Sequence, residues 1–310
     1  MKHQTAELEP IRTLEFSGKL HEEEDLSAIA HINGNLLIGA DEGHTIQLLT
    51  HHDQGFKVVG ELVLNDDPDT ETDIEDICCQ GNTCYIVGSH SRKRKKTKPD
   101  ESQNENRKRL YKTPKAEPDR ATLYQVELKS GKLVLKDKLS LQEILEKDKL
   151  LNRFLEIPSK ENGIDIEGLA IANDTLFIGF RSPVLRENYV PILQVEANTL
   201  DNPTLQFIRM KGRGVRAMAE VEDGLLILGG PPGDGEMTYQ LYFWNKTDMV
   251  IGNDVDVQES LISAGQIPTP SGAKAEGLSL LNSTRTEWEV LVVYDGVAGG
   301  EPTVFQVSKP

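Results

Sequence analysis

Five residues with chemical potential recur at one step of a repeating pattern: Ser27, Glu75, Glu167, Arg216 and Glu276. Two positions upstream of them stand Asp25, Asp73, Asp165, Gly214 and Lys274. Hard divalent cations take carboxylate and hydroxyl oxygens, so Ser27, Glu75, Glu167 and Glu276 are the expected ligands of a Ca²⁺ or Mg²⁺ ion. Arg216 is the competing partner, because a guanidinium can compensate converging carboxylates without a metal. Two readings stay open for this register: an ion or ligand site, or a buried polar network that pairs with itself. Asp73, Asp165 and Arg216 are expected to contact a ligand from it.

A second set follows each of these strands: Asp41-Glu42, Ser89-His90-Ser91, Arg181-Ser182-Pro183, Gly230-Pro231-Pro232 and Asp295-Gly296. His90, Arg181 and Asp41 are the candidate catalytic residues, and Ser89, Ser91 and Asp295 the candidate ligand contacts. Chain order alone assigns no Ser/His/Asp triad. The Gly229–Gly233 run lacks the lysine and helix of a phosphate loop.

The elements that must position these groups are strands. Five copies of one unit, an acidic or polar start, an apolar strand, a tight turn and a second strand, recur at about 50 residues, a period that points to propellers or solenoids. The expected first strands are Leu26–Ile32, Ile74–Cys79, Ile166–Ala170, Val215–Val221 and Glu276–Leu281. Asn33-Gly34 between apolar runs is a hairpin turn. The last repeat has only three strands, and Arg12–Phe16 is an orphan strand ahead of the first. Pairing the two closes the ring and hides two edges. The expectation is an all-β, five-bladed propeller closed by an N-terminal strand, one domain over residues 1–310. In a propeller the first strand of each blade lines the axis, so equal steps of the repeat become neighbours.

Two insertions lengthen the second repeat. Residues 92–118 form a basic segment without apolar periodicity, read as a flexible solvated loop or as a cationic flap drawing an anion to the mouth it borders. Arg92–Lys115 carries 11 Lys/Arg against three Asp/Glu, net +8, which leaves −24 on the remainder of a chain whose total is −16. Residues 140–155 have apolar spacing of a helix, with Ser140 and Glu143 as a capping box; it is expected to pack on the rim through Leu141, Ile144, Leu145, Leu151 and Phe154.

The acidic body argues against nucleic acid as partner. No apolar run approaches the roughly 20 residues that span a bilayer, and the N-terminus has no apolar signal region. Cys78, Cys79 and Cys84 match no zinc spacing. They are expected to be reduced, buried thiols of a cytoplasmic monomer, with a redox role for Cys78-Cys79 the lesser alternative.

At Asp165–Ala170 (DIEGLA), Leu176–Pro183 (LFIGFRSP) and Tyr85–Ser91 (YIVGSHS) the chain resembles a bacterial family, the domain of unknown function numbered thirty-six sixteen. The likeness covers nearly the whole chain and implies a propeller without assigning an activity. That family's more usual form has Gly where Ser182 stands. Leu26–Ile29, Ala170–Gly179 and Lys274–Leu278 also resemble blade starts of the calcium-activated nucleotidases (apyrases). That resemblance implies a central Ca²⁺ held by Ser27, Glu75, Glu167 and Glu276, from which Arg216 departs. Two functions are therefore expected: hydrolysis of a phosphate or other ester at a cation in the funnel, or non-catalytic binding of a protein or small ligand on the funnel face.

Overall fold

The computed structural model describes residues 6–65, 67, 71–253 and 260–310. Five antiparallel sheets make a five-bladed propeller. Blade 1 is Leu26–Ile32, Asn35–Ala40, Thr45–His52 and Gly55–Val63, from the axis outward. Blade 2 is Ile74–Gln80, Thr83–Gly88, Leu123–Lys129 and Lys132–Leu139. Blade 3 is Asp165–Ala172, Thr175–Ser182, Tyr189–Glu196 and Thr204–Arg209. Blade 4 is Gly214–Val221, Gly224–Gly230, Tyr239–Trp244 and Leu261–Ile267. Blade 5 is Lys274–Ser283, Glu287–Asp295, Thr303–Ser308 and, from the other end of the chain, Pro10–Thr13.

Residue pattern explains strand depth. The second strands read Leu-Leu-Ile, Leu-Leu-Ile-Leu and Val-Leu-Val-Val because both faces are covered by neighbouring blades, and almost every side chain in them is buried. The outermost strands Gly55–Val63 and Lys132–Leu139 largely alternate, since one face meets solvent. Asn33 and Gly34 both have positive φ, 49° and 81°, as a type I′ hairpin turn requires. The core is five apolar clusters, one between each pair of neighbouring blades, among the described residues. The cluster joining blades 1 and 5, which holds Leu26, Ile29, Leu291 and Val293, closes the ring.

The N-terminal segment does more than complete blade 5. Leu8 N donates to Gln266 O (2.8 Å) on blade 4, Pro10–Thr13 pairs with blade 5, and Phe16–Ser17 runs parallel to the outer strand of blade 1. The expected strand Arg12–Phe16 is thus two strands on two blades, in a belt across three.

Other expectations are corrected. Besides the rim helix Gln142–Lys147, the basic insertion holds a second helix, Gln103–Leu110, and a ribbon of Arg92–Lys93 with Lys115–Ala116. The second helix buries none of its side chains. Polar contacts order it instead: Ser102 Oγ accepts from Glu105 N at 3.3 Å, and Arg109 pairs with Glu101, so apolar periodicity could not reveal it. The capping box does not form. Ser140 Oγ donates to Ala121 O (2.7 Å) and accepts from Gln142 N, and Glu143 pairs with Lys147. The rim packing does hold: Leu141, Leu145 and Leu151 are fully buried, with Ile144 and Phe154 against them. Cys79 and Cys84 form a disulfide, because they are direct cross-strand partners, and Cys78 alone is a free, buried thiol. The cysteines therefore give no argument for a reducing compartment. Burial pushes the Cys78 thiol well up, leaving it poorly suited to redox chemistry. Among the described residues no helix is long and apolar enough to cross a membrane.

Candidate functional site

The five register residues share one backbone device. In every innermost strand the ladder skips one residue, a β-bulge, and the skipped residue is the one singled out by the repeat. Leu26–Ala40 and Ala28–Gly39 pair and leave Ser27 out. The same gap isolates Glu75, Glu167, Arg216 and Glu276 in the other blades. Arg181 is skipped likewise, between Phe180 and Ser182. A bulge leaves its residue outside the pleat and re-aims the side chain. Repeated five times around an axis, it turns a sequence register into a ring.

Three members of the ring, Glu75, Glu167 and Glu276, line a funnel of about 790 Å³, while Ser27 and Arg216 lie buried behind it. Its lower wall includes Glu75, Glu167, Glu276, Asp73, Asp165 and Arg181, and Asp25, Asp41, Glu42 and Asp295 continue it towards blades 1 and 5. Starts of first strands and ends of second strands thus open on one face, as antiparallel order requires. Its upper wall is cationic: Arg92 to Lys96 of the basic insertion, with Lys160 and Lys274.

Guanidiniums organise the floor. Arg216 Nη1 lies 2.8 Å from Glu167 Oε2, and its Nη2 donates to Glu276. Arg181 Nη1 donates to Glu167 Oε1 (2.6 Å) and lies 3.5 Å from Asp165, and its Nε donates to Pro231 O (3.2 Å). Glu167 is therefore held on both oxygens. Glu75 makes no ion pair or hydrogen bond among the described residues. One oxygen each from Glu75, Asp165 and Glu167 lie within 4.8 Å of one another. Burial and then the nearby Glu167, Asp73 and Asp165 charges drive the Glu75 carboxyl well above its usual range. Burial pushes Asp165 to about 7, with Glu167 adding and Arg181 opposing. Asp73 is likewise pushed to about 7 by burial, and Asp41 to about 6 by burial and Asp295. Displaced carboxyls gathered in one cavity mark it as the candidate functional site.

Not every expected residue reaches the funnel. Ser27 is buried, and its hydroxyl donates to Ile74 O, tying blade 1 to blade 2. Ser89 Oγ donates to Asp73 and lies 2.8 Å from Ser91 Oγ, which does line the funnel. His90 stands behind, beside a separate cavity of about 490 Å³ under the basic insertion. Its Nδ1 donates to Gly88 O (2.8 Å) and its Nε2 accepts from Leu141 N (3.3 Å). Burial holds its pKa near 4, so it is a neutral link between backbone groups and does not line the acidic funnel. Lys274 pairs with Asp295. Gly214 takes the place of an acid because a Cβ there would lie 1.8 Å from Arg181 O. Ser182 Oγ donates to Gly163 O (2.6 Å) and lies 3.2 Å from Ser159 O, fastening the approach to blade 3.

Two residues escaped the sequence reading. Arg120, 1% exposed, pairs with Glu71 and stands 2.6 Å from both Asp73 and Glu117. It follows directly on the basic insertion and stands outside the repeat register, so neither signal singled it out. Asp76 is wholly buried on the axis. Its signal was legible: the repeat reads Ala28, Asp76, Gly168, Ala217 and Gly277 there, four small residues and one acid.

These features define a class: a closed five-bladed propeller with an acidic, arginine-laced axial funnel under a basic collar. Residues 25–138 and 128–301 match the family described as Protein of unknown function (DUF3616), and the chain belongs to that family. No curated protein matches it. Among solved structures it is similar to a glutaminyl cyclase of Myxococcus xanthus, with 8% identity, a TM-score of 0.54, and 99% of this chain and 100% of that one covered. It is also similar to the PQQ-bound aldose sugar dehydrogenase of Streptomyces coelicolor, with 12% identity, a TM-score of 0.43 and 97% of each chain covered. At such identities the first likeness speaks for the fold alone.

Proposed function

We propose that the funnel floor holds a divalent cation, Ca²⁺ or Mg²⁺, between Glu75, Asp165 and Glu167, and that the protein hydrolyses an anionic ester there, phosphate esters first. The observation that carries this reading is the three converging carboxylate oxygens with Glu75 left unpaired. Oxygens within 4.8 Å of one another suit an ion that sits about 2.4 Å from each. When bound, such an ion polarises an ester or phosphoryl oxygen. The chain's own groups supply the rest. Arg181 and Arg216 orient Glu167, the collar of Arg92 to Lys96 and Lys160 draws an anion inward, and Asp41, with a pKa near 6, is the general base. Ser91 and Asp295 line the path to it. The Ser27 hydroxyl, spent on Ile74 O, is not a ligand in this reading, and Glu276 acts through Arg216.

A second reading has its own observation. Both oxygens of Glu167 are taken by guanidiniums, so the network is partly self-compensated and could bind a small or protein ligand without turnover. One experiment separates them. Protein stripped with EDTA is melted with and without millimolar CaCl₂ or MgCl₂, then assayed on phosphomonoesters, phosphodiesters and carboxylic esters. Cation-dependent stabilisation that Glu167→Gln reduces at least tenfold in affinity, with cation-dependent turnover, supports the first reading. No response to either cation sinks it and leaves the second.

A further inference from the structure

We infer that Asp76 is the positioning residue of the funnel floor: one buried carboxylate that sets the relative places of the bulge residues of three blades. Its Oδ1 accepts from Ile77 N (2.9 Å), and its Oδ2 accepts from Leu169 N (2.7 Å) and Met218 N (3.1 Å). Ile77, Leu169 and Met218 each stand two residues beyond a bulge residue, namely Glu75, Glu167 and Arg216. The three strands Asp76 joins are therefore those that present the unpaired carboxylate, the doubly paired carboxylate and the guanidinium.

Space on the axis is shaped for one such group. At the same step the other blades carry Ala28, Gly168, Ala217 and Gly277. A Cβ on Gly168 would lie 2.4 Å from Val215 Cγ1, and one on Gly277 2.5 Å from Val293 Cγ2. Four blades thus stand back or close up, and one reaches across. Ile77, Leu169 and Met218 keep their places in the ladder, but the innermost strand of a blade has no partner on its axial edge, and buried amides there need an acceptor. A carboxylate accepts only, with two oxygens and several lone pairs, so it meets three donors from three strands at once. Asn in its place offers one oxygen and sets an NH₂ against an amide N–H. The blades would stay packed through their apolar interfaces, and the bulges would lose their common anchor.

This inference builds on the proposed cation site, but its test includes a readout independent of any cation. Asp76→Asn and Asp76→Ala are compared with wild type by ¹⁵N-edited NMR of the Arg181 and Arg216 Nε–H groups, without cation, alongside methyl spectra of blades 1 and 5. CaCl₂ affinity is measured by calorimetry. The expected result is a folded Asp76→Asn protein whose methyl spectrum matches wild type, whose two arginine signals shift or broaden, and whose calcium affinity falls at least tenfold. Unchanged arginine signals in a folded variant overturn the inference. So does failure of both variants to fold, which would make Asp76 a support of the whole ring. If wild type binds no calcium, the cation reading fails by itself, and the arginine signals still decide the role of Asp76.

Discussion

Arg216 stands between two carboxylates, Glu167 and Glu276, and all three side chains are at least nine-tenths buried. Removing one member of such a set strands charge in low dielectric. Arg216→Met is therefore expected to cost about 3–5 kcal/mol in urea unfolding at pH 7.5. A cost below about 1 kcal/mol would mean that water or a cation already compensates the floor. The neighbouring acids predict a pH dependence. Asp41, Asp73 and Asp165 have folded-state pKa values of about 6 to 7, above the ordinary 3.8. Between those limits the folded protein keeps protons that the unfolded chain has released. These groups therefore favour folding at lower pH, and that contribution is lost as pH rises through 6 to 7. Cation-stripped protein should melt at a higher temperature at pH 5.5 than at pH 8, and calcium should raise the pH 8 value more. Calorimetry showing the opposite order would contradict the burial of these carboxyls.

At the scale of elements, edges and insertions matter most. The N-terminal belt supplies the outer strand of blade 5, covering Thr303–Ser308, and touches the outer strands of blades 4 and 1. Deleting residues 1–17 uncovers an edge with Val304 and Phe305 behind it, an invitation to edge pairing. Light scattering should show aggregation of the truncated protein, while a monodisperse product would mean that the ring closes without the belt. The basic insertion is the opposite case. Its helix contributes nothing buried, and its ribbon ends at Arg92–Lys93 and Lys115–Ala116. Replacing residues 95–113 with a short Gly-Asn turn should leave the melting temperature within a few degrees. The same change should slow association of an anionic ligand and flatten its salt dependence, as read by stopped-flow binding.

For the whole molecule, repetition made the architecture readable. Hairpin turns, apolar second strands and a missing fourth strand are local or countable signals, and together they specify five blades and a closure. The repeat also identified the steps that meet at the axis, since a ring brings equal steps together whatever their identity. Glu75, Asp165, Glu167, Arg181, Arg216 and Glu276 were named on that ground, and the bulge at each repeat explains why the register works.

What tertiary structure alone decided is where each side chain spends its hydrogen bonds. Ser27, at the expected step, turns to a neighbouring blade's carbonyl. His90, flanked by serines in a promising motif, links Gly88 to Leu141 and does not line the funnel. Arg120, directly after the basic insertion and outside the repeat register, becomes a buried partner of Asp73. The Cys79–Cys84 bond depends on cross-strand register, which composition does not carry. Periodicity encodes which positions face the axis, because the backbone geometry of a blade repeats. Partner choice at those positions depends on atoms brought from blades far apart in the chain, and only the closed ring sets them at bonding distance.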